Sequence, residues 1–109
     1  STCNLDSIME SLQQSLFSKE DAERFRQNFS AVYPTALNRL RNRCPDLTYS
    51  DELFCMLAML QLDNFEMART LGISKSSVSK TRYRIRIKLG LPEGADADTE
   101  IRKVMSAEE

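Results

Sequence analysis

The stretch that decides the fold runs from residue 63 to residue 91, DNFEMARTLGISKSSVSKTRYRIRIKLGL. Asp63-Asn64-Phe65-Glu66 reads as a capping box: the first side chain accepts an early helix N–H, and Glu66 reaches back to the cap. A short helix follows through Met67, Ala68 and Leu71. Gly72 supplies the left-handed residue that ends it. Ser74 then caps a second helix that is crowded with Lys and Arg. A short helix, a tight glycine turn and a basic second helix form the outline of a helix-turn-helix.

The second helix, 74–89, divides cleanly on a wheel of 100° per residue. With Val78 at zero, Ile85 and Leu89 fall within about 20° and Arg82 about 40° away, which makes a core seam. Arg82 on that seam is expected to pair with an acid such as Glu66 or to reach past the core to water. The opposite face carries Ser76, Lys80, Tyr83 and Ile87, flanked by Ser79 and Arg84. Ile87 reads as an ordinary exposed apolar residue. Such a face suits a helix that enters a DNA major groove with its N-terminus leading. Ser79, Lys80 and Tyr83 are the candidates for base edges. Lys75, Ser76, Ser77, Arg84, Arg86 and Lys88 are the candidates for phosphates, the hydroxyls acting together with the helix N-terminus.

The charge distribution points the same way. Residues 67–92 carry seven basic side chains and no acid, between segments 1–66 and 93–109 that each carry a net −4. The chain of 109 residues therefore sums to −1 and hides a +7 segment. A solvated helix face usually mixes signs, because Glu-to-Lys pairs one turn apart stabilise helices. An acid-free run of 26 residues is better explained by an anionic partner.

Several chemistries are excluded. The chain has no histidine, which removes His-based nucleophile activation and His-based zinc sites. Cys3, Cys44 and Cys55 are widely spaced and contain no Cys-x-x-Cys pair, so a reducing, cytoplasmic setting is expected. Cys55 lies in an apolar run and reads as a small buried hydrophobe. Gly72, Gly90 and Gly94 form no phosphate loop. No carboxylate is placed with a nucleophile, so the chain reads as a non-enzyme with no metal, no cofactor and no small-molecule substrate. No apolar run approaches the roughly 20 residues of a membrane span, and no secretory signal is expected.

Working outward, every other element reads as helix. Leu5, Ile8, Met9, Leu12 and Leu16 recur at helical spacing up to Phe17. Ser18 caps a second helix, with Asp21 in the return position of a capping-box variant, and Ala22, Phe25 and Phe29 form its apolar face. Pro34 suits the first position of a third helix, whose core side is Leu37 and Leu40. Thr48 and Asp51 open the next. From Leu53 to Leu60 every residue is apolar, so this helix is expected to be covered on several sides, by 19–43 and by 64–90. Met56 and Met59 are core fill on this reading.

Residues Leu47 to Leu91, LTYSDELFCMLAMLQLDNFEMARTLGISKSSVSKTRYRIRIKLGL, resemble the LuxR-type (GerE-like) DNA-binding domain of bacterial regulators. That family's pattern is roughly LTxxExxVLxLxxxGxSNKEIAxxLxISxxTVxxHxxxIxxKLGV. Leu47-Thr48, Asn64, Glu66, Ala68, Leu71, Ile73-Ser74, Val78, Ile85 and Lys88-Leu89-Gly90 match without a gap, and Asp51 stands where the family has Glu. Gln61 replaces the glycine that ends the family's first helix, Phe65 replaces a Lys, and Thr81 replaces a frequent His. The resemblance implies an all-α, four-helix unit over 47–109, with a scaffold helix at 64–71 and a recognition helix at 74–89. A short fourth helix at 98–105, with Ile101, Val104 and Met105, often serves dimerisation in the family. The family's base-contacting positions fall on Ser79, Lys80 and Tyr83, and its phosphate-holding hydroxyl falls on Ser77. Residues 1–46 would be an N-terminal extension of two or three helices packed on that unit. Tyr33-Pro34, Cys44-Pro45-Asp46 and the later Arg-Tyr-Arg-Ile-Arg give a looser resemblance to C-terminal regions of Bacteroidetes regulators, some of them tethered to a membrane.

The expected function is sequence-specific duplex DNA binding as the output domain of a transcription regulator. Two rivals stand beside it: a promoter-binding module like region four of a sigma factor, and a helix-turn-helix that binds only protein. Homodimerisation, through 98–105 or the N-terminal helices, and a contact with RNA polymerase are the further partner expectations.

Overall fold

The computed structural model describes residues 5–11 and 18–106. Among them it is all-helical, with no strand: α1 Leu5–Ser11, α2 Lys19–Val32, α3 Ala36–Arg43, α4 Tyr49–Met59, α5 Asn64–Leu71, α6 Lys75–Lys88 and α7 Ala97–Ser106. Cys3, Leu12, Leu16 and Phe17 lie outside the described residues. No described helix is long and apolar enough to cross a membrane.

The caps explain most of the boundaries. Thr48 and Asp51 exchange both bonds of a capping box at 3.1 Å, and Asp63 and Glu66 do the same at 2.8 and 3.2 Å. Ser18 accepts the Asp21 N–H at 3.0 Å, but the return bond is not made. The Asp21 carboxylate takes Arg24 instead, at 3.2 Å. Pro34 does not open α3. It lies in a turn closed by the Ala36 N–H on the Tyr33 carbonyl, where the fixed proline φ suits the second turn position, and Thr35 becomes the N-cap. Gly72 is left-handed as expected, with φ 69°. Gln61, after α4, is also left-handed, with φ 64°.

The core is one contiguous cluster that draws on every helix. Its centre is α4, whose Leu53–Ala58 are all buried, with Met59 and Leu60 partly so. Two sides are covered by α2 and α6, but the most extensive cover comes from α7, which also packs against α3. The expected arrangement of 19–43 on one side and 64–90 on the other is therefore incomplete. Ala97, Ile101 and Met105 of α7 repeat every four residues and are buried together, a stripe that a short terminal helix does not advertise. Ile101 and Met105, expected to serve a dimer, are thus spent inside the chain, and Val104 is partly buried beside them. Cys55 is fully buried, and burial pushes its thiol up.

Charged links stitch the helices across this core. Glu52 on α4 accepts Arg26 of α2 at 2.9 Å and Arg41 of α3 at 2.8 and 2.9 Å. Arg26 also lays its guanidinium 4.2 Å from the centre of the Tyr49 ring. The end of α3 reaches the end of α6, where Arg43 donates to the Leu89 carbonyl at 2.9 Å and the Cys44 thiol to that of Lys88 at 3.3 Å.

Candidate nucleic-acid interface

α5, the Gly72 turn and α6 form the helix-turn-helix outline that the sequence suggests, and α5 packs against α6. The α6 seam is buried at Val78, Ile85 and Leu89. The opposite face is open, with Ser76, Ser79, Lys80, Tyr83 and Ile87 all exposed. Ser79, Lys80 and Tyr83 therefore share one outward surface, as their spacing requires. Tyr83 is 61% exposed. A shallow cleft of about 290 Å³ runs beside it, between Tyr83 and Arg86 on one wall and the small residues Gly94 and Ala95 on the other.

The N-terminus of α6 is a cluster of hydroxyls. Ser74 accepts the Ser77 N–H at 3.1 Å and gives its proton to the Ser77 hydroxyl at 3.0 Å. Having one proton only, Ser74 must accept in its 3.0 Å contact with Ser76. Ser77 is left with its own proton to donate. Lys75 is exposed beside this cluster, its Nζ 5.6 Å from the centre of the Phe65 ring.

The six cations of α6 fall into two groups. Three are bound to carboxylates. Arg82 pairs with Asp98 of α7 through two bonds at 2.9 and 3.2 Å, with its guanidinium 5.3 Å from the centre of the Phe54 ring. Glu66, the partner anticipated from the sequence, is occupied with its own helix cap. Arg84 and Lys88 both end on Asp51, each at 2.7 Å. The other three make no such pair among the described residues. Lys75 and Lys80 point to solvent. Arg86 spends one N–H on the Leu91 carbonyl at 3.2 Å and stacks over Tyr83, 5.1 Å from the ring centre.

Sequence reasoning separated the buried Val78, Ile85 and Leu89 from the exposed Ser76, Lys80, Tyr83 and Ile87, but it missed the two acids that hold the helix. Asp51 was visible as a capping residue and as the counterpart of a Glu in the resembled pattern, and Asp98 only as the start of the helix expected at 98–105. Their partners lie 33 and 37 residues away for Asp51, and 16 away for Asp98, beyond any local pattern. No group of His, Cys, Asp and Glu among the described residues could hold a metal ion. No protein-family model, no curated protein and no solved structure matches this chain.

Proposed function

We propose that this chain binds duplex DNA, laying the outer face of α6 in the major groove, as the output module of a transcription regulator of LuxR type. The observation that carries the reading is the division of α6. Its seam is locked to the body by apolar burial and by Arg82, while Lys75, Ser79, Lys80 and Tyr83 stand exposed and Arg86 half-buried beside them on an acid-free helix. Lys80 suits the acceptors of a guanine edge, and Ser79 and Tyr83 can serve either base or phosphate. Lys75, Arg86 and the Ser77 hydroxyl are then the phosphate contacts nearest to hand. The resemblance over 47–91 supports the same placement. A protein-only module has little reason to keep 26 residues free of carboxylate.

Titration of binding to a random-sequence duplex against salt tests this. Three unpaired cations predict a slope of log affinity on log salt of roughly −3. Binding that is absent at low ionic strength, or that is insensitive to salt, rejects the reading. Lys80→Ala should relax base preference at one position, by about 1–3 kcal/mol of discrimination, in addition to the roughly 0.9 of salt slope that the loss of one cation takes from random-duplex binding.

A further inference from the structure

Arg84 and Lys88 reach the surface beside the exposed face of α6, with 46% and 22% of their side chains accessible. Both nevertheless end on a carboxylate that has no accessible surface. Asp51 Oδ1 accepts Arg84 Nη2 at 2.7 Å and Nε at 3.3 Å, and Oδ2 accepts Lys88 Nζ at 2.7 Å. Oδ2 also accepts the Thr48 N–H at 3.1 Å, so the acid cannot turn aside without opening the cap of α4. For either cation to meet a phosphate fully, it would have to leave this buried carboxylate underpaired. That loss is severe in a protein interior, whereas a solvent-exposed ionic contact gains little. Lys75, Lys80 and Arg86 face no such competition.

Building on the DNA-binding reading, we propose that Asp51 sets the sequence-independent affinity of α6 for DNA by withholding Arg84 and Lys88 from the phosphates. Phosphate contacts add affinity to every site alike, and base contacts add it to the correct one. Two withheld cations lower the first contribution and leave the second to Ser79, Lys80 and Tyr83. Asp51 is thus a specificity-determining residue that touches no DNA.

The test is a salt titration of random-duplex binding by wild type, Asp51→Asn, Arg84→Gln and Lys88→Gln. The amide keeps an oxygen for the Thr48 N–H but no charge to hold the two cations. Asp51→Asn should steepen the slope by about 0.9 per released cation and raise low-salt affinity for random duplex on the order of tenfold for each. Arg84→Gln and Lys88→Gln should leave the slope at the wild-type value. A natively helical Asp51→Asn with the wild-type slope overturns the proposal, and so does either Gln variant that loses about 0.9 of slope. If Asp51→Asn does not fold, the two Gln variants decide alone. A wild-type chain without salt-dependent binding fails the DNA reading itself, a result distinct from both.

Discussion

Acid should weaken this fold through Asp51. Burial by itself pushes the carboxyl up, since the charged form loses its water. Hydrogen bonds from Lys88, from Arg84 and from the Thr48 N–H outweigh that and hold it at about 2, against an ordinary 3.8. Because Asp51 has no accessible surface, the difference corresponds to about 2 kcal/mol of folding free energy. A carboxyl depressed by folding contributes above its unfolded value and loses that contribution as pH falls toward its folded one. The stabilisation is therefore complete at neutral pH, declines from about pH 4 and is nearly gone by about pH 2. Glu52, held low chiefly by its bond from Arg41 against the cost of burial, adds a loss of the same sign.

Asp51→Asn separates this contribution from the rest, because a protonated carboxyl and an amide are close in shape and both neutral. Urea unfolding followed by helical circular dichroism should place the variant about 2 kcal/mol below wild type at pH 7. The gap should close as the pH is taken down to about 2, where wild type has itself lost the charge. A gap of constant size from pH 7 to the acid end would show that the Asp51 charge does not stabilise the fold, and would refute the reasoning.

Three further outcomes follow from other parts of the chain. Gln61 is exposed and left-handed, so Gln61→Gly should raise stability by about 0.5–1 kcal/mol and the melting temperature by a few degrees; an unchanged or lower melting temperature contradicts the turn. Ile101→Ala empties a fully buried site on α7 and should cost about 2–5 kcal/mol in urea unfolding, whereas a loss below about 1 kcal/mol would mean that α7 is not part of the core. Arg86→Gln should make the salt slope of random-duplex binding shallower by about 0.9, and an unchanged slope would remove Arg86 from the phosphate contacts.

What was legible in the sequence is what repeats or caps locally. The wheel of α6 needs only 3.6 residues per turn, so Val78, Ile85 and Leu89 could be separated from Lys80 and Tyr83 without a neighbour in view. The boxes at Thr48 and Asp63 span three residues and were equally plain. Pro34 was misread because a proline serves a turn and a first helical position about equally well, and the choice depends on where the Ala36 N–H finds its acceptor. The cover of α4 by α7, and the pairing of Arg82 with Asp98 rather than Glu66, depend on how α7 lies across the bundle. Glu66 looked available, but its carboxylate is already engaged by the Asp63 N–H. Pattern shows which residues seek partners; packing decides which ones they obtain.

The same distinction bears on the basic segment from which the functional reading began. A count of seven positive charges treats every Lys and Arg as available to a partner. In the folded chain Arg82, Arg84 and Lys88 are ion-paired where they stand, three cations on two acids of α7 and α4. Both Asp51 partners lie toward the C-terminal end of α6, which is also where Arg43 and Cys44 of the preceding segment grip the last carbonyls. That end is therefore fixed from several directions, while the N-terminal half keeps Lys75, Ser76, Ser79 and Lys80 exposed. A helix held at its tail and open at its head suits entry into a groove with the N-terminus leading. On the proposed DNA-binding reading, the acids that engage the tail belong to the recognition surface as much as the lysines at its head, because they would determine which cations a phosphate can meet.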